Sequence, residues 1–168
     1  MYIRVVSNIH RWDGTATVKR PEAKVCGDAI TDLKTSSNML SVWNVDGENQ
    51  IEESVAVIAL GRDRLDKVSY VMLENEAIED EIKLLLENNA GKCKAIIKED
   101  ILYRHRDIVE LDSSQLESLA AYMLDRVNQE QSDFKDLDDL KKIIARMIDE
   151  KKIDPNKIND KLKKELGL

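Results

Sequence analysis

The spacing of apolar residues changes near residue 112, and that change limits what the chain can fold into. Before it, β-forming residues occur in short runs separated by turn residues: Ile3-Arg4-Val5-Val6, Met39 to Val45, Lys67 to Leu73 and Asp107 to Leu111. After it, apolar residues recur three and four apart: Leu116, Leu119, Ala120, Met123 and Val127, then Leu137, Leu140, Ile143, Ile144 and Met147. The first spacing suits strands and the second suits one face of a helix. An α/β fold is expected, with mixed α+β as a variant. It comprises an N-terminal β-hairpin and a β-α-β-α-β sheet domain, followed by a C-terminal segment of about three helices.

Local signals fill in the elements. Asp13-Gly14 is a hairpin turn signal, with Tyr2 to Arg11 before it and Thr15 to Val18 as the return strand. Asp28 to Thr35 reads as a short helix with Ile30 and Leu33 inward. Asn49 and Glu52 have capping-box spacing ahead of Ile51, Val55 and Ile58, which fall at helical intervals up to Gly61. The β-branched content leaves a buried strand open for 51–60. Glu76 to Asn88 is expected as a helix, Lys94 to Ile97 as a strand, and Ser114 with Glu117 as a second capping box. Helices between strands favour crossovers and at least partly parallel pairing. Asp154 before Pro155 has the form of a helix N-cap followed by a first-turn proline.

The polar stretch Asn128 to Ser132 reads as a linker, dividing an α/β domain, 1–132, from a helical appendage, 133–168. Charge divides there too. The first part holds 16 basic and 24 acidic side chains, the second ten and nine. The whole chain of 168 residues carries −7. A surface at −8 disfavours nucleic acid and anionic membrane for 1–132, and that argument is weaker for the tail. The longest apolar run, Val55 to Leu60, is far short of a membrane span. Met1 to Val6 lacks the basic and apolar pattern of a secretory leader. A cytoplasmic chain with two free thiols, Cys26 and Cys93, is expected.

Residue types that carry chemistry are sparse. Neither cysteine lies in a CxxC motif, and no phosphate-loop, dinucleotide or zinc-protease motif occurs. No cofactor and no metal are expected. His10 and His105, with Arg11, Arg104 and Arg106, have the groups for metal-independent phosphodiester cleavage if they meet in space. Cys26, before Gly27 and Asp28, would be activated only at a helix start. Glu74, Glu76, Glu79, Asp80 and Glu81 suit a helix N-terminus or a patch for a basic protein. Trp43 alternates as a core residue. Trp12 reads first as core, and, if exposed, as an interface anchor.

The expected function is therefore non-enzymatic protein binding. The chain reads as an inhibitor, immunity-type or antitoxin-type antagonist of a basic partner, with Glu76, Glu79, Asp80 and Trp12 as contacts. Two alternatives are a nuclease-like enzyme using His10 and His105, and a regulatory or assembly subunit that oligomerises through the C-terminal helices.

Overall fold

A computed structural model describes residues 1–12 and 27–168. The Asp13-Gly14 turn, its return strand and Cys26 lie outside the described residues. The strands are β1 (Tyr2–Val6), β2 (Leu40–Asn44), β3 (Val68–Leu73), β4 (Leu85–Asn88), β5 (His105–Val109) and β6 (Ser132–Lys135). The helices are α1 (Gly27–Ile30), α2 (Glu48–Leu60), α3 (Glu99–Leu102), α4 (Ser113–Asn128), α5 (Leu137–Asp149) and α6 (Asp160–Leu166). The mixed α/β class and the helical C-terminal segment are as the sequence indicates.

The strands form one sheet in the order β4-β5-β2-β1-β3-β6. β1 is antiparallel to both its neighbours, with Ile3 opposite Trp43 on β2 and Met72 on β3. β2 and β3 therefore run the same way, as a helical crossover through α2 requires, but β1 is inserted between them. This split β-α-β arrangement replaces direct parallel pairing between consecutive strands. β4 is antiparallel to β5, with Leu85 opposite Val109.

The chain divides into two compact units. The first comprises Met1–Asn44, Ser69–Asn88 and Arg106–Asp133, and holds most of the sheet with α1 and α4. Its core joins Tyr2, Val6, Leu40, Val42, Val71 and Leu73 to Leu119 and Met123 of α4. Tyr2, Val6, Leu40 and Val42 share one sheet face by the two-residue alternation of strands. α4 presents its stripe to the same core. Asp112 caps α4 by accepting from the Gln115 N–H while the Gln115 side chain accepts from the Asp112 N–H. The capping box is thus Asp112/Gln115, two residues ahead of the expected Ser114/Glu117.

The second unit comprises Val45–Val68, Asn89–His105 and Phe134–Leu168. α2 packs on α5 here and buries Ile51, Val55 and Ala59, while α5 buries Leu140, Ile143, Ile144 and Met147. Residues 51–60 are therefore helical. The helix starts at Gly47 without a side-chain cap, and Asn49 instead reaches Glu53 one turn on. The C-terminal stretch is one of three that build this unit.

Other expectations shift for local reasons. β1 ends at Val6 because the Asn8 side chain accepts from the His10 N–H and starts a 3-10 turn, Ile9–Arg11. Ile30 does not point inward: it is 46% exposed, whereas Leu33 is buried. The tight hairpin turn that is described lies at Ser37-Asn38, both with left-handed φ (53° and 58°), and Ser36 and Met39 exchange backbone bonds across it. Lys94 to Ile97 forms only an isolated bridge, Ile96 to Ile153. The 128–132 stretch is a closed turn in which the Gln131 N–H reaches the Arg126 carbonyl, leading into β6. α5 starts at Leu137, where Asp136 accepts from the N–H groups of Asp138 and Asp139.

Candidate functional site

The expected helix Glu76–Asn88 is two elements. A short helical stretch ends in a π-turn, Ala77–Glu81, closed by the Ile82 N–H on the Ala77 carbonyl at 2.9 Å. Lys83 then takes a left-handed φ of 59°, and the chain continues as β4. Ala77 and Ile78 anchor the turn by burial, and the Leu84 N–H bonds the Ile78 carbonyl at 2.9 Å. Single π-turns are uncommon and concentrate at functional sites.

The acidic residues of this turn are held differently. Glu74 accepts from Arg126 Nη1 at 2.7 Å, and its N–H reaches the Tyr122 hydroxyl. Arg126 is a buried guanidinium on α4 that also donates Nε to the Met72 carbonyl and lies over the Tyr122 ring. Glu79 accepts from the Tyr2 hydroxyl at 2.7 Å. Burial, reinforced by that hydrogen bond and the Glu79 charge, pushes the Tyr2 phenol well above its ordinary value. Glu76, Asp80 and Glu81 are exposed and have no ion-pair partner among the described residues. The turn thus presents three exposed carboxylates, unpaired among the described residues, on a base fixed by Ile78, Glu74–Arg126 and Glu79–Tyr2.

Trp12, placed by its sequence position between core and interface, is core. It is fully buried, and its Nε1–H donates to Asp32 Oδ2 at 2.9 Å. It offers no surface to a partner, because its one polar atom is already spent inside the first unit. Asp32 Oδ1 also accepts the Ser7 N–H, and the Asp32 carbonyl accepts from Arg4. Burial lowers the Arg4 pKa, with Asp32 opposing.

The histidine and arginine set divides between the units. His10 is exposed in the 3-10 turn after β1, and Arg11 reaches the Ser7 hydroxyl. Arg106 lies on β5 opposite Asn88. These three belong to the first unit, and Arg104 and His105 to the second. Arg104 does not wait for a phosphate: it is bound to Glu53 at 2.6 Å and Asp100 at 3.6 Å. His105 Nδ1 faces the Asn89 carbonyl. A carbonyl only accepts, so Nδ1 carries the proton.

Glu53 is the group that sequence reasoning missed. It is 2% exposed on α2 and takes charge-assisted bonds from Arg104 Nη1 and from Lys152 Nζ at 2.7 Å. Burial raises its pKa, but those two cations outweigh burial and hold it below the ordinary carboxylate value. Lys152, bonded to Glu150 and Glu53, is raised. The network ties together the three stretches of the second unit. The available sequence signal was a second carboxylate beside Glu52, close after Ile51 on the same helix.

Concavities lie among the described residues of both units. One of about 480 Å³ in the first unit has apolar walls from Ile30, Leu33, Leu116 and Ala120, with Glu117 on its lining. One of about 270 Å³ in the second is lined by Glu52, Lys135, Lys142 and Arg146. There Arg146 pairs with Glu52, while Lys135 pairs with Glu48. Among the described residues no three His, Cys, Asp or Glu side chains gather as a metal ligand set. No helix among the described residues is long and apolar enough to cross a membrane. Cys93 is a free, half-buried thiol whose pKa burial raises. Compared with known proteins, the chain matches no family model, no curated protein and no solved structure.

Proposed function

We propose that this chain is a non-enzymatic, cytoplasmic protein-binding module, an antagonist that docks a basic partner protein on the acidic surface of its first unit. The observation that carries the reading is the π-turn: Glu76, Asp80 and Glu81 are exposed and have no counter-ion among the described residues, on a base secured by buried contacts. Uncompensated like charges repel one another and gain little from the fold, whereas a cationic partner relieves that repulsion. A fixed base spares the partner part of the entropy of ordering the turn. The first unit as a whole carries 17 acidic and nine basic side chains, against 16 and 17 in the second. The attraction for a cationic surface therefore lies in the first unit.

The test is capture from native lysate by the intact chain at low salt, compared with the variant Glu76→Gln/Asp80→Asn/Glu81→Gln. A stoichiometric basic protein is expected on the wild-type chain and is lost from the variant, with Tm unchanged because all three side chains are exposed. Equal recovery by both chains, or no stoichiometric protein on either, contradicts the reading.

A further inference from the structure

The acidic turn runs directly into a strand with an open side. β4 is the last strand of the sheet, and no described strand lies beyond it. Among the described residues only its inner side is paired, to β5 from Leu85↔Val109 to Asn88↔Arg106. Half of the backbone N–H and C=O groups of a strand face each side, so the outer side presents a row of main-chain donors and acceptors. Edge strands are commonly blunted by lysine, proline or a bulge. β4 is short, at four residues, and carries one charge, Glu87, but it has no lysine, proline or bulge, and its register against β5 is continuous. Leu86 packs against the first unit's core, so alternation sends Leu85 and Glu87 to the opposite face. Leu85 is 52% exposed there.

We infer that β4 is a strand-addition site. An extended basic segment of the partner protein adds to it as an antiparallel strand. This rests on the binding reading above and specifies the occupant. The segment makes main-chain bonds to the open side of β4. It sets a basic residue across from Glu87 and, two residues later, an apolar residue across from Leu85, giving the pattern basic-x-apolar. Cross-strand pairs of opposite charge and of apolar side chains stabilise such an addition. The exposed carboxylates of the turn, only a few residues before β4, attract the same cationic segment.

The probe is a synthetic dodecapeptide of three Lys-Thr-Val-Thr repeats, which presents lysine and valine two residues apart, titrated into the full chain and followed by amide shifts and hydrogen exchange. Two controls accompany it: the same peptide N-methylated on alternate residues, and one with glutamate in place of lysine. Shifts and slowed exchange centred on Leu85–Asn88 are expected, with binding at least ~10-fold weaker for either control. Glu87→Lys is expected to weaken the lysine peptide by a similar factor and to leave Tm unchanged. Shifts confined to 76–81, equal binding by the N-methylated peptide, or no binding overturns the site. Silent β4 amides do so even where a lysate partner still depends on the turn carboxylates, so the two readings fail separately.

Discussion

At the scale of single residues, buried polar groups take roles that their neighbours in sequence do not announce. Glu53 sits among apolar residues on α2, and its partners Arg104 and Lys152 lie 51 and 99 residues away. Removing one member of a buried ion network leaves the others uncompensated, typically at a cost of about 3–5 kcal/mol. Arg104 keeps Asp100 and Lys152 keeps Glu150, so Glu53→Gln is expected to lose less than that, ~2 kcal/mol, in urea unfolding. The pH dependence has a definite sign. Glu53 is held below its ordinary value of 4.5, so its contribution is present above that pH and is lost as pH falls through the folded value. Lys152 is held above 10.5, so its contribution is lost as pH rises through its own folded value. The wild type should lose more stability than Glu53→Gln at both limbs, and parallel curves would remove the network from the account. Trp12 gives a second check. With Trp43→Phe leaving Trp12 as the only tryptophan, emission should be blue-shifted and resistant to iodide quenching, because Trp12 is fully buried. Efficient quenching would place it at the surface.

At the scale of elements, what was legible depended on whether the decisive contacts are local. β2 and α4 follow from alternation or helical spacing, and β3 from its run of β-forming residues, whereas 51–60 stayed open between helix and strand because α2 is buried on most of its circumference. The 76–88 region misled because Ile78, Ile82, Leu85 and Leu86 fit a helical stripe. The left-handed φ at Lys83 and the pairing of 85–88 with β5 decide otherwise, and the second of these is a contact with a distant segment. The acidic run was equally visible, but not which carboxylates are free. That depends on Tyr2 and Arg126, 77 and 52 residues from the groups they bind. The Asp112 cap was displaced by only two residues from its expected place, and Asp112→Ala should cost about 1 kcal/mol of stability through the N-terminal turn of α4. An unchanged urea midpoint would show that the cap contributes nothing there.

At the scale of the whole molecule, the boundary in the sequence is only part of the division in space. The linker reading places a break near 132, where the last stretch of the second unit begins. That unit also takes 45–68 and 89–105. α5 buries its apolar stripe against α2, so a chain ending at Asp133 leaves α2 without its partner. Such a truncation should bind a hydrophobic dye and lose exchange protection over Glu48–Leu60. Retained protection in α2 would show that it is stable without α5. Charge sorts by these units, at −8 and +1, and any electrostatic attraction for a cationic partner belongs to the first. The most direct measurement is the association rate of the captured partner as a function of ionic strength, for wild type and for Glu76→Gln/Asp80→Asn/Glu81→Gln. Steered association falls steeply with salt, so the wild-type rate should drop ~10-fold or more between low and physiological salt while the variant changes far less. The same salt dependence in both chains would contradict the claim that this turn receives the partner.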